Sequence, residues 1–122
     1  MTAAKRRTGV TVAQATRLLR GLAGITEGSS YGMPSFKLHG KFYARFRDQD
    51  TVLVLQLPSI AERDVLMQMA PKAFFFTDHY RDYPAVLVRL AEIPAALLSD
   101  VVTDAWREIG AKRAARPRRK GR

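Results

Sequence analysis

There is no cysteine in this sequence. That removes disulfide frameworks, thiolate nucleophiles and cysteine-ligated metal centres together, and it fits a reducing compartment. Histidine is nearly as scarce. His39 and His79 are the only two, far apart in the chain, and Asp78, His79 and Asp82 form no more than a loose polar cluster, whereas a metal site needs three or four converging ligands. No apolar run approaches the roughly 18 residues of a membrane span. The N-terminal stretch MTAAKRRTGVTVAQATRLLRGLAG has no acid, yet Thr, Gln and Arg interrupt what would be the apolar centre of a signal peptide. There is no Gly-x-Ser-x-Gly elbow. GITEGSSYG has the glycines of a phosphate-binding loop without its Gly-Lys-Ser/Thr ending. Paired carboxylates, Asp48 with Asp50 and Asp78 with Asp82, fall where turns are expected and Asp is common anyway. These absences set the expectation of a cytoplasmic protein that is not an enzyme, with no cofactor, no metal, no membrane association and no evident small-molecule substrate.

Charge is what the chain has in excess. It carries 21 basic and 11 acidic residues, a net charge of +10. The excess sits at the ends. Residues 1–20 hold five basic residues and no acid, and residues 107–122 hold eight basic residues against Glu108 alone. Between them, eight basic residues face ten acidic ones. Strongly basic ends around a nearly neutral body suit a polyanionic partner.

The chain is long enough for a core of its own. Thr11 with Gln14 makes a capping box, and Val12, Ala15, Leu19, Leu22 and Ala23 follow at helical spacing. Four extended stretches come next, Ile25–Tyr31, Ser35–His39, Lys41–Arg47 and Thr51–Leu57, broken at Gly32-Met33-Pro34, Gly40 and Asp48-Gln49-Asp50. Ser59 with Glu62 opens a second helix to about Ala70, whose inward side is read as Ile60, Val65, Leu66 and Met69; Pro71 ends it. Residues 73–76 and 85–91 read as two more strands around the polar loop Thr77–Pro84. Pro94 then starts a long helix with the stripe Leu98, Val101, Val102, Ala105 and Ile109. The order α-β-β-β-β-α-β-β-α, with consecutive strands on tight turns, predicts a single two-layer α+β domain, an antiparallel sheet backed by helices. The domain is expected over residues 11–114, between a basic arm at 1–10 and a basic tail at 115–122.

The pieces PSFKLHGKFYA and AlaTrpArg in the last helix resemble the MmcQ/YjbR family of small bacterial proteins, and the resemblance runs over about residues 11–114. It implies a frataxin-like α+β fold and carries a family label of DNA binding. It also implies an aromatic residue, often Trp, at the place where Tyr83-Pro84 stands here. The acidic ridge associated with iron in frataxins has no counterpart in this sequence.

The stretch FKLHGKFYARFR is the most informative one for function. Strict alternation puts Phe36, Leu38, Phe42, Ala44 and Phe46 inward. It turns Lys37, His39, Lys41, Tyr43, Arg45 and Arg47 outward, a face without a carboxylate. The expected nucleic-acid contacts, to DNA or RNA, are therefore Lys37, Lys41, Arg45 and Arg47, with Tyr43 for stacking. Lys5, Arg6, Arg7, Lys112, Arg113, Arg116, Arg118, Arg119 and Lys120 add phosphate contacts from the ends. The alternative is a protein-interaction or homodimerisation module. It rests on Val52, Val54 and Leu87, which would form an apolar patch if the sheet were open on that side.

Overall fold

The first helix begins where its donors are covered. In the computed structural model, which describes residues 9–30, 32–49 and 51–115 (backbone alone at Ser30 and 113–115), α1 spans Val12–Arg20. Thr11 Oγ1 accepts the Gln14 N–H at 3.0 Å, and Gln14 Oε1 accepts the Thr11 N–H at 2.8 Å. Ala15 and Leu19 are buried while Arg17 and Arg20 stay in solvent. Gly9 and Val10, assigned to the arm by sequence, belong to the domain. Their N–H groups donate to the carbonyls of Ile93 (2.8 Å) and Leu90 (2.7 Å), and Val10 is buried.

The remaining elements follow the expected order. They are β1 (Ile25–Ser30), β2 (Met33–Leu38), β3 (Lys41–Arg47), β4 (Val52–Gln56), α2 (Ile60–Met69), β5 (Phe74–Phe75), β6 (Ala85–Arg89) and α3 (Ala95–Ala115). All six strands join one antiparallel sheet, in the order β1-β2-β3-β4-β6-β5. The β2–β3 connection is a two-residue turn with positive φ at His39 (51°) and Gly40 (85°), the backbone twist that suits a tight hairpin. One position strongly favours glycine. Gly24 has φ 84°, its carbonyl accepts the His39 N–H, and a Cβ there would lie 2.6 Å from the His39 ring.

The core lies between one face of the sheet and the helices. Ala15 and Leu19 of α1 and Leu98, Val102, Ala105 and Ile109 of α3 pack with Phe36, Phe46, Leu53, Leu55, Val86 and Val88. Phe36 and Phe46 meet edge to face at 6.1 Å. Each such side chain contributes about 1.5–3 kcal/mol by leaving water. The result is the predicted α+β domain. No helix among the described residues is long and apolar enough to cross a membrane.

Two local expectations fail. The first is the alternation in β3. Phe36 pairs with Ala44 but Lys37 pairs with Phe42, so Tyr43 is an extra residue in β3. Such a bulge shifts the strand by one residue and exchanges faces. Tyr43 is therefore 0% exposed, on the helix side, and its hydroxyl donates to the Val102 carbonyl of α3 at 2.6 Å. Phe42 takes the outer face instead. The second failure is in α2. Val65 and Met69 are 62% and 56% exposed, and Ile60 is exposed too. The inward stripe is Arg63, Leu66, Met67 and Ala70, also at helical spacing.

Candidate functional site

Strand register fixes which residues share the sheet face turned away from the core, because directly paired residues point the same way. One row runs Arg45, Val54, Leu87, Phe75; the next runs Arg47, Val52, Arg89. Lys37 stands beside Phe42, and Gln56 beside Ala85. The face thus has an apolar centre flanked by Lys37, Arg45, Arg47 and Arg89. Among the described residues no strand position on it holds a carboxylate; Asp48, in the following turn, lies 3.4 Å from Arg47.

The apolar centre is covered. Val52, Val54 and Leu87 are buried, with Phe42, Phe75 and Tyr80 packed on them, so they do share a face but form no exposed patch on this chain. Arg89 lies 4.0 Å above the Phe75 ring. Tyr80 comes from the loop between β5 and β6, which makes one 3₁₀ turn at Asp78–Tyr80 and folds across the sheet.

Arg63 of α2 holds that loop. Its side chain is nearly inaccessible, and its guanidinium donates to the carbonyls of Tyr80 (2.8 Å), Tyr83 (3.1 Å) and Arg81 (3.2 Å). The same group lies 4.0 Å over the Phe76 ring. Its Nε has no hydrogen-bond partner; Asp64 Oδ1, at 3.7 Å, is near enough for attraction but too far for a hydrogen bond. A buried cation normally has a carboxylate partner. Here three loop carbonyls supply most of the compensation, so the charge and the loop conformation depend on each other.

Between loop and sheet lies a cleft of about 410 Å³, lined by Phe42, Arg45, Gln56, His79, Tyr80, Tyr83 and Ala85. His79 and Tyr80 meet edge to face at 4.8 Å, and the Tyr80 and Tyr83 rings are 6.4 Å apart. Arg45 Nη2 donates to the Tyr80 hydroxyl at 3.0 Å. Gln56 Nε2 donates to the carbonyls of Leu57 (3.3 Å) and Pro84 (3.1 Å). The cleft combines flat rings, a guanidinium and an oriented amide. No group of three or more His, Asp or Glu side chains gathers to hold a metal among the described residues.

Of the expected contacts, Lys37, Arg45 and Arg47 meet on the outer face. Lys41 pairs with Leu38, a core residue, so it projects from the hairpin end on the helix side. Tyr43 is removed from any stacking role by its burial. Lys112 is exposed on α3, far along the chain from the sheet residues, and Arg113 is on the same helix. Lys5, Arg6, Arg7, Arg116, Arg118, Arg119 and Lys120 lie outside the described residues. Sequence reasoning missed Phe42, Gln56, Tyr80 and Arg63. Tyr80 and Tyr83, in a loop that otherwise holds Asp78, His79, Arg81 and Asp82, were the available signal.

The YjbR family matches this chain over residues 20–108, which takes in the whole sheet, α2 and most of α3. The chain belongs to the YjbR family. Short stretches of uncharacterized proteins from Mycobacterium bovis and Mycobacterium tuberculosis are 53% identical over 36 residues, 30% of this chain. That match spans only 28% of the length of those relatives. The crystal structure of Deinococcus radiodurans protein DR2400, a DUF419 domain, is similar with a TM-score of 0.69 at 20% identity, covering 84% of this chain and 80% of that one. At that identity the likeness speaks for a shared fold.

Proposed function

We propose that this YjbR chain binds nucleic acid, DNA foremost, with low sequence specificity, through the outer face of its sheet aided by the basic residues near its ends. The observation that carries the reading is the shared face of Lys37, Arg45, Arg47 and Arg89, whose described strand positions hold no carboxylate. Arg and Lys bind backbone phosphates by releasing counterions, which gives affinity without base choice. Phe42, partly buried on that face, adds a ring on which a base can stack. Lys5, Arg6, Arg7, Lys112, Arg113, Arg116, Arg118, Arg119 and Lys120 extend the positive field and speed encounter.

Anisotropy with a labelled duplex of random sequence tests this, comparing the full chain with a Lys37→Ala, Arg45→Ala, Arg47→Ala variant and with a full-length variant whose Arg116, Arg118, Arg119 and Lys120 are Gln. The reading expects salt-steep binding that both variants weaken, and a fall in the slope of log K against log salt of about 0.9 for each phosphate contact removed. Binding untouched by the sheet variant and lost in the tail variant would reduce the activity to a generic polycation.

A further inference from the structure

We propose that the cleft beside Arg45 receives one unstacked nucleotide, with its base among the rings of Phe42, Tyr80 and Tyr83 and its phosphate on Arg45, which makes the protein prefer single strands to duplex. The inference rests on the nucleic-acid reading above and adds to it a defined site and a ligand class.

Size and lining come first. About 410 Å³ falls within the ~300–1,000 Å³ of small-molecule sites. Phe42 arrives from β3 and Tyr80 and Tyr83 from the loop, so rings border the space from two elements. Bases that have left a helix are commonly held by such rings, and sheet surfaces carrying aromatics are a recurrent platform for single strands.

The polar groups are placed to read a nucleotide. Arg45 borders the cleft, where its guanidinium donates to the Tyr80 hydroxyl, and its positive charge favours a phosphate beside the rings. Lys37 and Arg47 extend the positive face on either side for the neighbouring phosphates. The Gln56 amide is oriented, because its Nε2 donates to two carbonyls. That leaves Oε1 as the atom it offers to a ligand, an acceptor suited to the exocyclic amino group of adenine, cytosine or guanine, which thymine lacks.

The site is also formed in advance. The buried Arg63 guanidinium ties down the Tyr80, Arg81 and Tyr83 carbonyls, so the loop is ordered before any ligand arrives. Ordering a loop on binding costs affinity, and a loop already held avoids that cost. A duplex presents its bases edge-on and stacked, and would have to extrude one to fill the cleft.

The test is anisotropy of the full chain with labelled oligo(dA), oligo(dT) and their duplex at equal length and low salt, plus calorimetry with adenosine monophosphate. Tyr83→Ala and Phe42→Leu are the variants; Tyr83 is 59% exposed, so its removal leaves the core intact. The proposal expects oligo(dA) to bind more tightly than oligo(dT) or the duplex. It expects Tyr83→Ala to weaken oligo(dA) binding about tenfold, a usual effect for one stacked base, with duplex binding unchanged. Equal affinity for strand and duplex, with both ring variants silent and the Lys37, Arg45, Arg47 variant losing both, overturns the cleft and keeps the phosphate-binding face. No oligonucleotide binding, with monophosphate heat that Tyr83→Ala removes, overturns the nucleic-acid reading but supports the cleft as a site for free nucleotides. No binding of strand, duplex or monophosphate overturns both.

Discussion

Tyr43 and Arg63 show how single residues tie a strand and a loop to the helices. Tyr43 carries its hydroxyl through the core to α3. Tyr43→Phe keeps the ring and removes one buried hydrogen bond, so it should cost about 1 kcal/mol in urea denaturation and leave nucleic-acid affinity as it was. An affinity loss in that variant would mean that Tyr43 reaches the ligand after all. Arg63→Met keeps much of the volume but removes the guanidinium from three loop carbonyls, of which those of Tyr80 and Tyr83 keep a backbone N–H donor. It should cost at least about 2 kcal/mol, raise amide exchange across residues 76–84, and weaken single-strand binding more than duplex binding. At the surface, the Arg20 guanidinium hydrogen-bonds Glu27 at 2.7 Å and holds its carboxyl below the ordinary carboxylate range. A carboxylate lowered by folding stabilises the fold above its unfolded pKa, and that contribution fades as pH falls through the lowered value. Glu27→Gln should therefore make stability slightly less pH-dependent on the acid side, and an unchanged acid limb would show the pair to be idle.

At the scale of elements, what the sequence revealed was whatever repeats with a period. The capping box at Thr11 and Gln14 and the α3 stripe at Leu98, Val102, Ala105 and Ile109 were both legible, because capping chemistry and helical spacing are local. Thr11→Ala should cost about 1 kcal/mol of stability by denaturant titration. Alternation read the hairpin correctly up to Leu38 and failed at Tyr43, because a bulge adds a residue without a sequence mark. The consequence is functional, since Phe42 and not Tyr43 borders the outer face. In α2 two stripes compete. Ile60, Val65 and Met69 are the more apolar residues, yet the helix turns Arg63, Leu66, Met67 and Ala70 inward. What decides is a nonlocal partner, the carbonyls of a loop nearly twenty residues ahead, which no window on the helix can see. The cleft was illegible for the same reason: its rings come from β3 and from the β5–β6 loop, brought together only by the crossover that sets β6 beside β4.

For the whole molecule, the two faces of the sheet differ. One sheet face is buried under helices; the other is crossed by a single loop and bordered by Lys37, Arg45, Arg47 and Arg89. Membership of the YjbR family ties this architecture to residues 20–108, while the densest positive charge lies at the two ends of the chain. The proposed division of labour follows: the ends supply unspecific attraction, and the sheet face supplies the contact with a defined geometry. The most direct measurement is a two-dimensional amide NMR titration of the labelled full chain with short oligo(dA). The resonances that move should belong to β2, β3, β4, β6 and residues 76–84, and they should move together with one affinity. Shifts confined to the terminal residues, with the outer face silent, would contradict it.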